Sequence, residues 1–266
     1  MNNDNSAGRL YNVLQALTNL SVGGRSDERL IVFFELAPSP EHVKGHKIFP
    51  LIPQLIHRLT AILTLTDEAE QDLKAIDDLT RDLYLTPFTH IRNTISGLLT
   101  NLHSEWSNYL AEFKKIDFRG LQFCSDVLSK VSIEQAIDAT TLKDLLTDVD
   151  AFYQEVIDSD IHWETKHFIL DRLDDIRTAI REYRIRGAEG LRECLGKTIG
   201  LMYVNPHLVL RFPDQTSHKE KFFNIVGRLS SIVDLGTKVL ALGHKAKPAV
   251  AAILKGYLES GNPPPS

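Results

Sequence analysis

The chain has 266 residues, of which 43% are hydrophobic and 24% are charged, and its formal net charge is −5. These values are ordinary for a globular protein and exclude intrinsic disorder as the state of the whole chain. The acidic balance also argues against general nucleic-acid binding, because neutralising phosphates requires a basic surface.

Nothing in the sequence directs the chain to a membrane or to an oxidising compartment. The first residues are polar and carry no basic region followed by an apolar stretch, so we expect no signal peptide. No window of about 18 uninterrupted apolar residues occurs, so we expect no transmembrane helix. Cys124 and Cys194 lack Cys-x-x-Cys spacing, and we expect buried, reduced thiols. These features predict a cytoplasmic protein.

Helical periodicity dominates from the N-terminus onward. We expect helices over about 7–22, 50–65 and 67–84, with breaks at Gly23-Gly24 and around Pro38. The apolar run 30–36 has strand-like composition. No partner run of the same kind follows, and a single strand leaves its backbone groups unsatisfied. The sequence therefore predicts a buried helix for 30–36.

Two start signals follow. Thr86-Pro87 resembles an N-cap followed by proline at the first helical position, and it predicts a helix that opens there. Ser104 is expected to cap a short helix that carries Trp106. A further helix is expected over about 117–131.

The clearest pattern is a helical hairpin. Apolar residues recur at steps of three and four over 141–158 and again over 169–183, while most acids of the first segment fall on the opposite face. The polar turn at Ser159-Asp160 closes the pair. We expect Gly187 to end or kink the second helix, and a further helix to follow over 187–204.

An arginine-rich stretch precedes Gly187, and three of its four members share a helical face. A row of guanidinium groups can bind phosphates or a partner's carboxylates through paired hydrogen bonds. The alternative is intramolecular pairing with the acid-rich segments 67–82 and 141–158. The candidate residues for partner or anion binding are Arg177, Arg181, Arg184 and Arg186.

The C-terminal segment differs in charge from the rest, with seven basic and three acidic residues from Lys219 to the end. Its apolar stripe, flanked by lysines, suits packing in the bundle, docking to a protein partner, or binding to an anionic membrane surface through 219–258. The candidate docking residues are Phe222, Phe223, Val226, Leu229, Val233 and Lys238.

The expected fold is all-α, an irregular multi-helix bundle with a semi-independent C-terminal amphipathic segment. We divide the chain into an acidic helical bundle (1–205), a linker loop (206–218), basic amphipathic helices (219–260) that can pack on the bundle as one domain, and a disordered tail (261–266).

No catalytic signature appears: there is no phosphate-binding loop, dinucleotide-binding motif, nucleophile elbow or kinase motif. His42 and His46 are four apart, but prolines and Gly45 surround them, so we expect a surface loop and no metal site. We also expect no cofactor.

Three classes of function are consistent with the pattern. The first is a non-catalytic interaction or regulatory protein that binds a protein partner or itself. The second is a membrane-active effector that uses the C-terminal helix. The third is a phosphate or nucleotide binder that uses Arg177–Arg186. We favour the first.

Overall fold

The computed structural model describes residues 5–36, 45–76, 81–131, 136–205, 207–208 and 217–236, and gives only the backbone for 45–47, 81–84, 217 and 234–236. Every regular element within these ranges is helical. The one β-type contact is an isolated bridge between Arg25 and Glu105. The predicted all-α, multi-helix fold is confirmed.

The described part of the chain contains nine α-helices and one 3₁₀ helix. In chain order they are α1 (Ser6–Thr18), α2 (Ser26–Phe33), the 3₁₀ helix (Gly45–Leu51), α3 (Ile52–Lys74), α4 (Arg81–Thr100), α5 (Trp106–Phe113), α6 (Phe118–Val131), α7 (Ala139–Asp158), α8 (Trp163–Val204) and α9 (Ser217–Gly236).

The buried side chains form two separate hydrophobic cores. The first joins α1 to α6, and we call this part the N-lobe. The second joins α7, α8 and α9, which we call the C-lobe. One residue of α8, Ile185, belongs to the first core instead of the second. The lobes therefore meet where α8 reaches the N-lobe.

Helix α8 folds back on itself at Gly187. Asp175 and Lys197 form an ion pair with 3.0 Å between Oδ1 and Nζ, although a straight helix would separate them by about 33 Å. Thr165 Oγ1 likewise donates to the Leu208 carbonyl at 3.5 Å. The two arms, 163–186 and 188–204, are therefore antiparallel, and Gly187 lies at the tip of the hairpin.

The C-lobe is an up-and-down four-helix arrangement. Arg177 on the first arm of α8 pairs with Asp150 on α7 at 2.6 Å, as the predicted hairpin requires. Lys221 at the start of α9 pairs with Glu155 near the end of α7, also at 2.6 Å. These pairs set α7 antiparallel to both neighbours, the usual result of short helix connections.

Several predicted boundaries were wrong. The segments 50–65 and 67–84 do not form two helices, because α3 runs without interruption through residue 66. Thr86-Pro87 does not open a helix either, since α4 begins at Arg81 and contains Pro87. Leu85, two residues before the proline, packs against the first core. A proline inside a helix removes one backbone hydrogen bond, and we attribute the continuation of α4 through Pro87 to this packing.

Two other local predictions were confirmed in part. The run 30–36 was predicted to form one buried helix, but α2 ends at Phe33; Leu30 and Ile31 are fully buried, whereas Val32 is 44% exposed. The short helix after Ser104 is α5, although Glu105 occupies its cap position without a side-chain cap bond.

Helix α9 shares the second core with α7 and α8. The predicted division at 206–218 stays a prediction, because residues 206 and 209–216 lie outside the described ranges. The predicted continuation of the C-terminal helices and the tail 261–266 lie outside them too.

One described segment, Ile48–Lys74, is long and apolar enough by composition to cross a membrane. Its inward face, including Leu55, Leu59 and Ile62, is fully buried in the first core. Core helices of soluble proteins meet the same criterion, so this segment is weak evidence for a membrane span.

Candidate functional site

The tip of the α8 hairpin is anchored in the N-lobe. The Ile185 side chain enters the first core, and Arg9 of α1 donates from Nε to the Ile185 carbonyl at 3.2 Å. That carbonyl lies in the last turn of the first arm, where helix carbonyls lack intrahelical partners. Arg9 therefore caps the arm from the other lobe.

Two glycines make this tip possible. Gly187 has φ 59° and ψ −155°, a backbone conformation that residues other than glycine rarely adopt. It separates the two arms. At Gly190 a Cβ atom would lie 2.9 Å from Arg186 Cβ. The absent side chain at Gly190 leaves room for Arg186 to pass along the second arm.

A buried carboxylate joins the lobes beside the tip. Glu182 of α8 is 1% exposed, and its Oε1 lies 2.5 Å from Nη1 of Arg58 on α3, whose side chain is 6% exposed. The angles at these two atoms are unsuitable for a hydrogen bond, so the contact is an ion pair. His57 Nε2 lies 3.1 Å from the same oxygen, and Arg186 Nη1 lies 3.6 Å from Oε2.

The surroundings of Glu182 carry more positive than negative charge. Burial, together with the nearby charges of Arg181, Arg184 and Arg186, lowers the pKa of Arg58 to about 10. Burial also lowers the pKa of His57, as do Arg58 and Arg186, so this imidazole is mainly neutral at pH 7. We call Arg58, Arg181, Arg184 and Arg186 the arginine cluster.

The members of this cluster are held differently. Arg184 donates from Nη2 to the Phe33 carbonyl at 2.9 Å, and its guanidinium carbon lies 4.5 Å from the centre of the Phe33 ring. Arg186 forms a short hydrogen bond with Glu193 on the second arm. Arg181, which is partly exposed, forms no ion pair or hydrogen bond with any residue in the described part of the chain.

Arg177 belongs to a different environment. It pairs with Asp150 at 2.6 Å and with Asp174 at 3.0 Å, and it stacks over the Tyr153 ring at 4.6 Å. Of the four arginines predicted to act together, the structure therefore places Arg181, Arg184 and Arg186 around Arg58 and keeps Arg177 within the C-lobe.

A groove of about 230 Å³ runs between α3 and the second arm of α8. Its walls carry three glutamates, one arginine, one histidine, two threonines and three apolar residues: Glu68, Glu189, Glu193, Arg186, His57, Thr60, Thr64, Ala61, Leu65 and Ile185. It is smaller than the pockets that usually enclose whole small molecules. Its carboxylates also make it a poor site for an anion.

The predicted docking stripe of α9 lies inside the second core. Phe222, Val226 and Leu229 are fully buried, and Phe223 and Val233 are almost so. Lys238 lies outside the described residues. Docking through this stripe would require α9 to leave the bundle.

A different apolar surface faces solvent at the open end of the α8 hairpin. Trp163 begins the first arm and is 69% exposed, while Tyr203 and Val204 end the second arm and are 68% and 65% exposed. Ile157 of α7 lies at the same end, because Lys166 donates to its carbonyl at 2.6 Å. Its side chain is also exposed. We call these four residues the distal patch.

Acidic side chains accompany the distal patch. Asp158 and Asp160, both exposed, lie one and three residues after Ile157. Glu164 follows Trp163 and lies 3.9 Å from His162. The patch is therefore apolar and aromatic with acidic residues beside it in the chain.

A second buried carboxylate, Asp27, has a structural role. It is fully buried and lies 2.6 Å from Arg25 Nη2 and 2.7 Å from His103 Nδ1. The same loops exchange backbone hydrogen bonds, including Asp27 N to the Leu102 carbonyl. Asp27 thus holds the start of α2 against the connection from α4 to α5.

Both cysteines are free and buried, as predicted. Burial raises the pKa of each thiol to about 11, which disfavours the nucleophilic thiolate. Among the residues that the structure describes, no three His, Cys, Asp or Glu side chains are grouped to hold a metal ion. His42 and the side chain of His46 lie outside this description.

Sequence reasoning missed Arg58, Glu182 and the distal patch. Arg58 had a detectable signal, because it interrupts the apolar spacing of an otherwise uncharged stretch from Ile48 to Thr66. Trp163 gave no such signal, since its exposure depends on where the two ends of α8 lie.

Comparison with known proteins found no matching family model, no similar curated protein and no similar solved structure.

Proposed function

We propose that this chain is a non-catalytic, cytoplasmic interaction or regulatory protein that binds a protein partner through the distal patch. The supporting observation is the exposure of Trp163 and Tyr203 at one end of a rigid hairpin. Tryptophan and tyrosine are enriched among the residues that contribute most to protein interfaces. They offer large contact areas at a small cost in side-chain entropy.

The position of the patch favours binding over a chance exposure. Trp163 and Tyr203 lie on the two arms of α8, whose antiparallel packing is fixed by the Asp175–Lys197 pair and by the second core. A rigid presentation reduces the entropy that binding costs. The partner can be another protein or a second copy of this chain.

A protein partner fits this surface better than a membrane does. Asp158 and Asp160 are exposed beside the patch, and their charges would be repelled by anionic lipid. The apolar stripe of α9, part of the other candidate membrane surface, is packed in the second core. A partner segment with apolar and basic residues would complement the distal patch.

The proposal is tested by site-specific photocrosslinking. A benzophenone amino acid at position 163 should give defined protein adducts in cells, whereas the same group at position 131 should not. Val131 is a matched control, because it is 67% exposed and lies on α6 in the N-lobe. Equal adduct patterns from both positions would refute the proposal.

Dissociation constants of variants then identify which residues of the distal patch bind the partner. With the crosslinked partner purified, or with the chain alone in sedimentation velocity, Trp163→Ser with Tyr203→Ser should weaken association at least about 30-fold, as expected for hot-spot residues. Val131→Ser should leave it unchanged. An unaltered dissociation constant in the double variant would show that the distal patch is not the interface.

A further inference from the structure

The arginine cluster carries more positive charge than its ion pairs neutralise. Glu182 pairs with Arg58 and lies near Arg186, and Arg186 also bonds Glu193. Arg184 bonds a backbone carbonyl and stacks on an aromatic ring, and neither contact supplies negative charge. Within the described residues, neither Arg181 nor Arg184 forms an ion pair, although burial lowers the pKa of Arg184 and the nearby charge of Glu35 raises it.

These two guanidinium groups are placed on one face of α8. Residues three apart on a helix are neighbours, with Cβ atoms about 5–6 Å apart. Arg184 donates one hydrogen bond to the Phe33 carbonyl, at 2.9 Å, and the other N–H groups of its guanidinium bond no residue in the described part of the chain. Arg58 is close to both.

We propose that Arg181 and Arg184 bind a phosphate group of a small ligand at the joint between the lobes. A phosphate monoester carries close to two negative charges at pH 7 and three acceptor oxygens. Two guanidinium groups match both the charge and the number of oxygens, and each can donate two parallel hydrogen bonds. A carboxylate has two oxygens and one charge, so a single fork satisfies it.

Binding there would strengthen the joint. The charges of Arg58, Arg181, Arg184 and Arg186 repel one another across α3 and α8, and a bound dianion offsets this repulsion. Since Arg184 contacts α2 and Arg58 belongs to α3, both in the N-lobe, the ligand would stabilise the C-lobe against the N-lobe. The inference goes beyond the proposed function and does not depend on the distal patch.

The test is thermal unfolding of the full chain with inorganic phosphate and pyrophosphate as probes, at constant ionic strength set with sodium chloride. The wild type should show a saturable rise in melting temperature of at least about 2 °C. The double variant Arg181→Gln with Arg184→Gln should lose this rise.

Arg177→Gln is the matched control, because Arg177 lies on the same face of α8 but pairs with Asp150 and Asp174. This variant should retain the full rise. Far-ultraviolet circular dichroism checks that each variant is folded. Isothermal titration calorimetry on folded variants separates a lost site from a lost fold.

Three outcomes would overturn the proposal. One is a wild-type melting temperature that phosphate and pyrophosphate do not raise beyond sodium chloride. Another is an equal rise in the double variant. The third is binding to phosphatidic-acid vesicles without any response to the two soluble probes, which would indicate a lipid surface instead of a small ligand.

Discussion

Replacing Glu182 with glutamine should destabilise the protein and uncouple the two lobes. Glu182 is 1% exposed and its main partner, Arg58, is 6% exposed in its side chain. Glutamine keeps the size of the side chain, so no cavity forms, but Arg58 becomes a buried cation next to Arg181, Arg184 and Arg186. Breaking one side of a buried pair costs about 3–5 kcal/mol.

The two tryptophans of the chain make the lobes separately visible. Trp106 is fully buried in the N-lobe core, and Trp163 lies in the C-lobe. In a Trp163→Phe background, fluorescence reports the N-lobe, while circular dichroism reports the helices of both lobes. In urea, with a slope of about 2–3 kcal/mol per molar, the loss of stability corresponds to a shift of the midpoint by about 1–2.5 M. The two transitions should coincide in the parent and separate in Glu182→Gln.

Two controls define the result. Glu189→Gln removes an exposed partner of Arg192 and should change the free energy of unfolding by less than about 0.5 kcal/mol. Replacing both buried partners, Arg58→Met with Glu182→Leu, should recover most of the lost stability, because no unpaired charge remains. If Glu182→Gln lowers the free energy of unfolding by less than about 1 kcal/mol and the two transitions still coincide, Glu182 does not couple the two lobes.

Further outcomes follow from the packing. Gly187→Ala should lower the free energy of unfolding by about 1–3 kcal/mol, because φ is 59° there. Gly196→Ala should raise it by about 0.5–1 kcal/mol, because no atom lies within 4 Å of the added Cβ. Urea denaturation measures both changes. Leu229→Ala should cost about 2–5 kcal/mol and the exposed Asn224→Ala almost nothing, and equal small effects would show that α9 is not part of the core. The two buried thiols, with pKa values raised to about 11, should react slowly with a thiol reagent at pH 8 and quickly in urea. Because their pKa is lower when unfolded, their contribution to stability should be complete below about pH 8.5 and be lost as the pH rises towards 11.

Much of the local structure could be predicted from the sequence. The steps of three and four in 141–158 and 169–183 identified α7 and the first arm of α8, and the turn between them limited these helices to an antiparallel pair. Gly187 marked the end of the arm, because only glycine adopts its backbone conformation without strain. These features depend on residues close together in the chain.

The composition of the candidate sites depended on distant residues. Arg184 bonds the carbonyl of Phe33, 151 positions away, and Glu182 meets Arg58 from another lobe. The arginine-rich stretch was visible in the sequence, but its separation into Arg177 and the cluster around Arg58 was not. A pattern of charges along one helix does not specify which neighbour each charge faces.

The sequence by itself determined the helical class, the apolar face of most helices and the break at Gly187, because periodicity and glycine chemistry act over a few residues. Only the tertiary structure decided that the stripe of α9 is core, that Trp163 and Tyr203 face solvent at one end, and that Glu182 is buried between lobes. An apolar stripe has the same sequence whether it packs inside the protein or against a partner. Whether such a stripe is buried depends on which other elements of the fold pack against it.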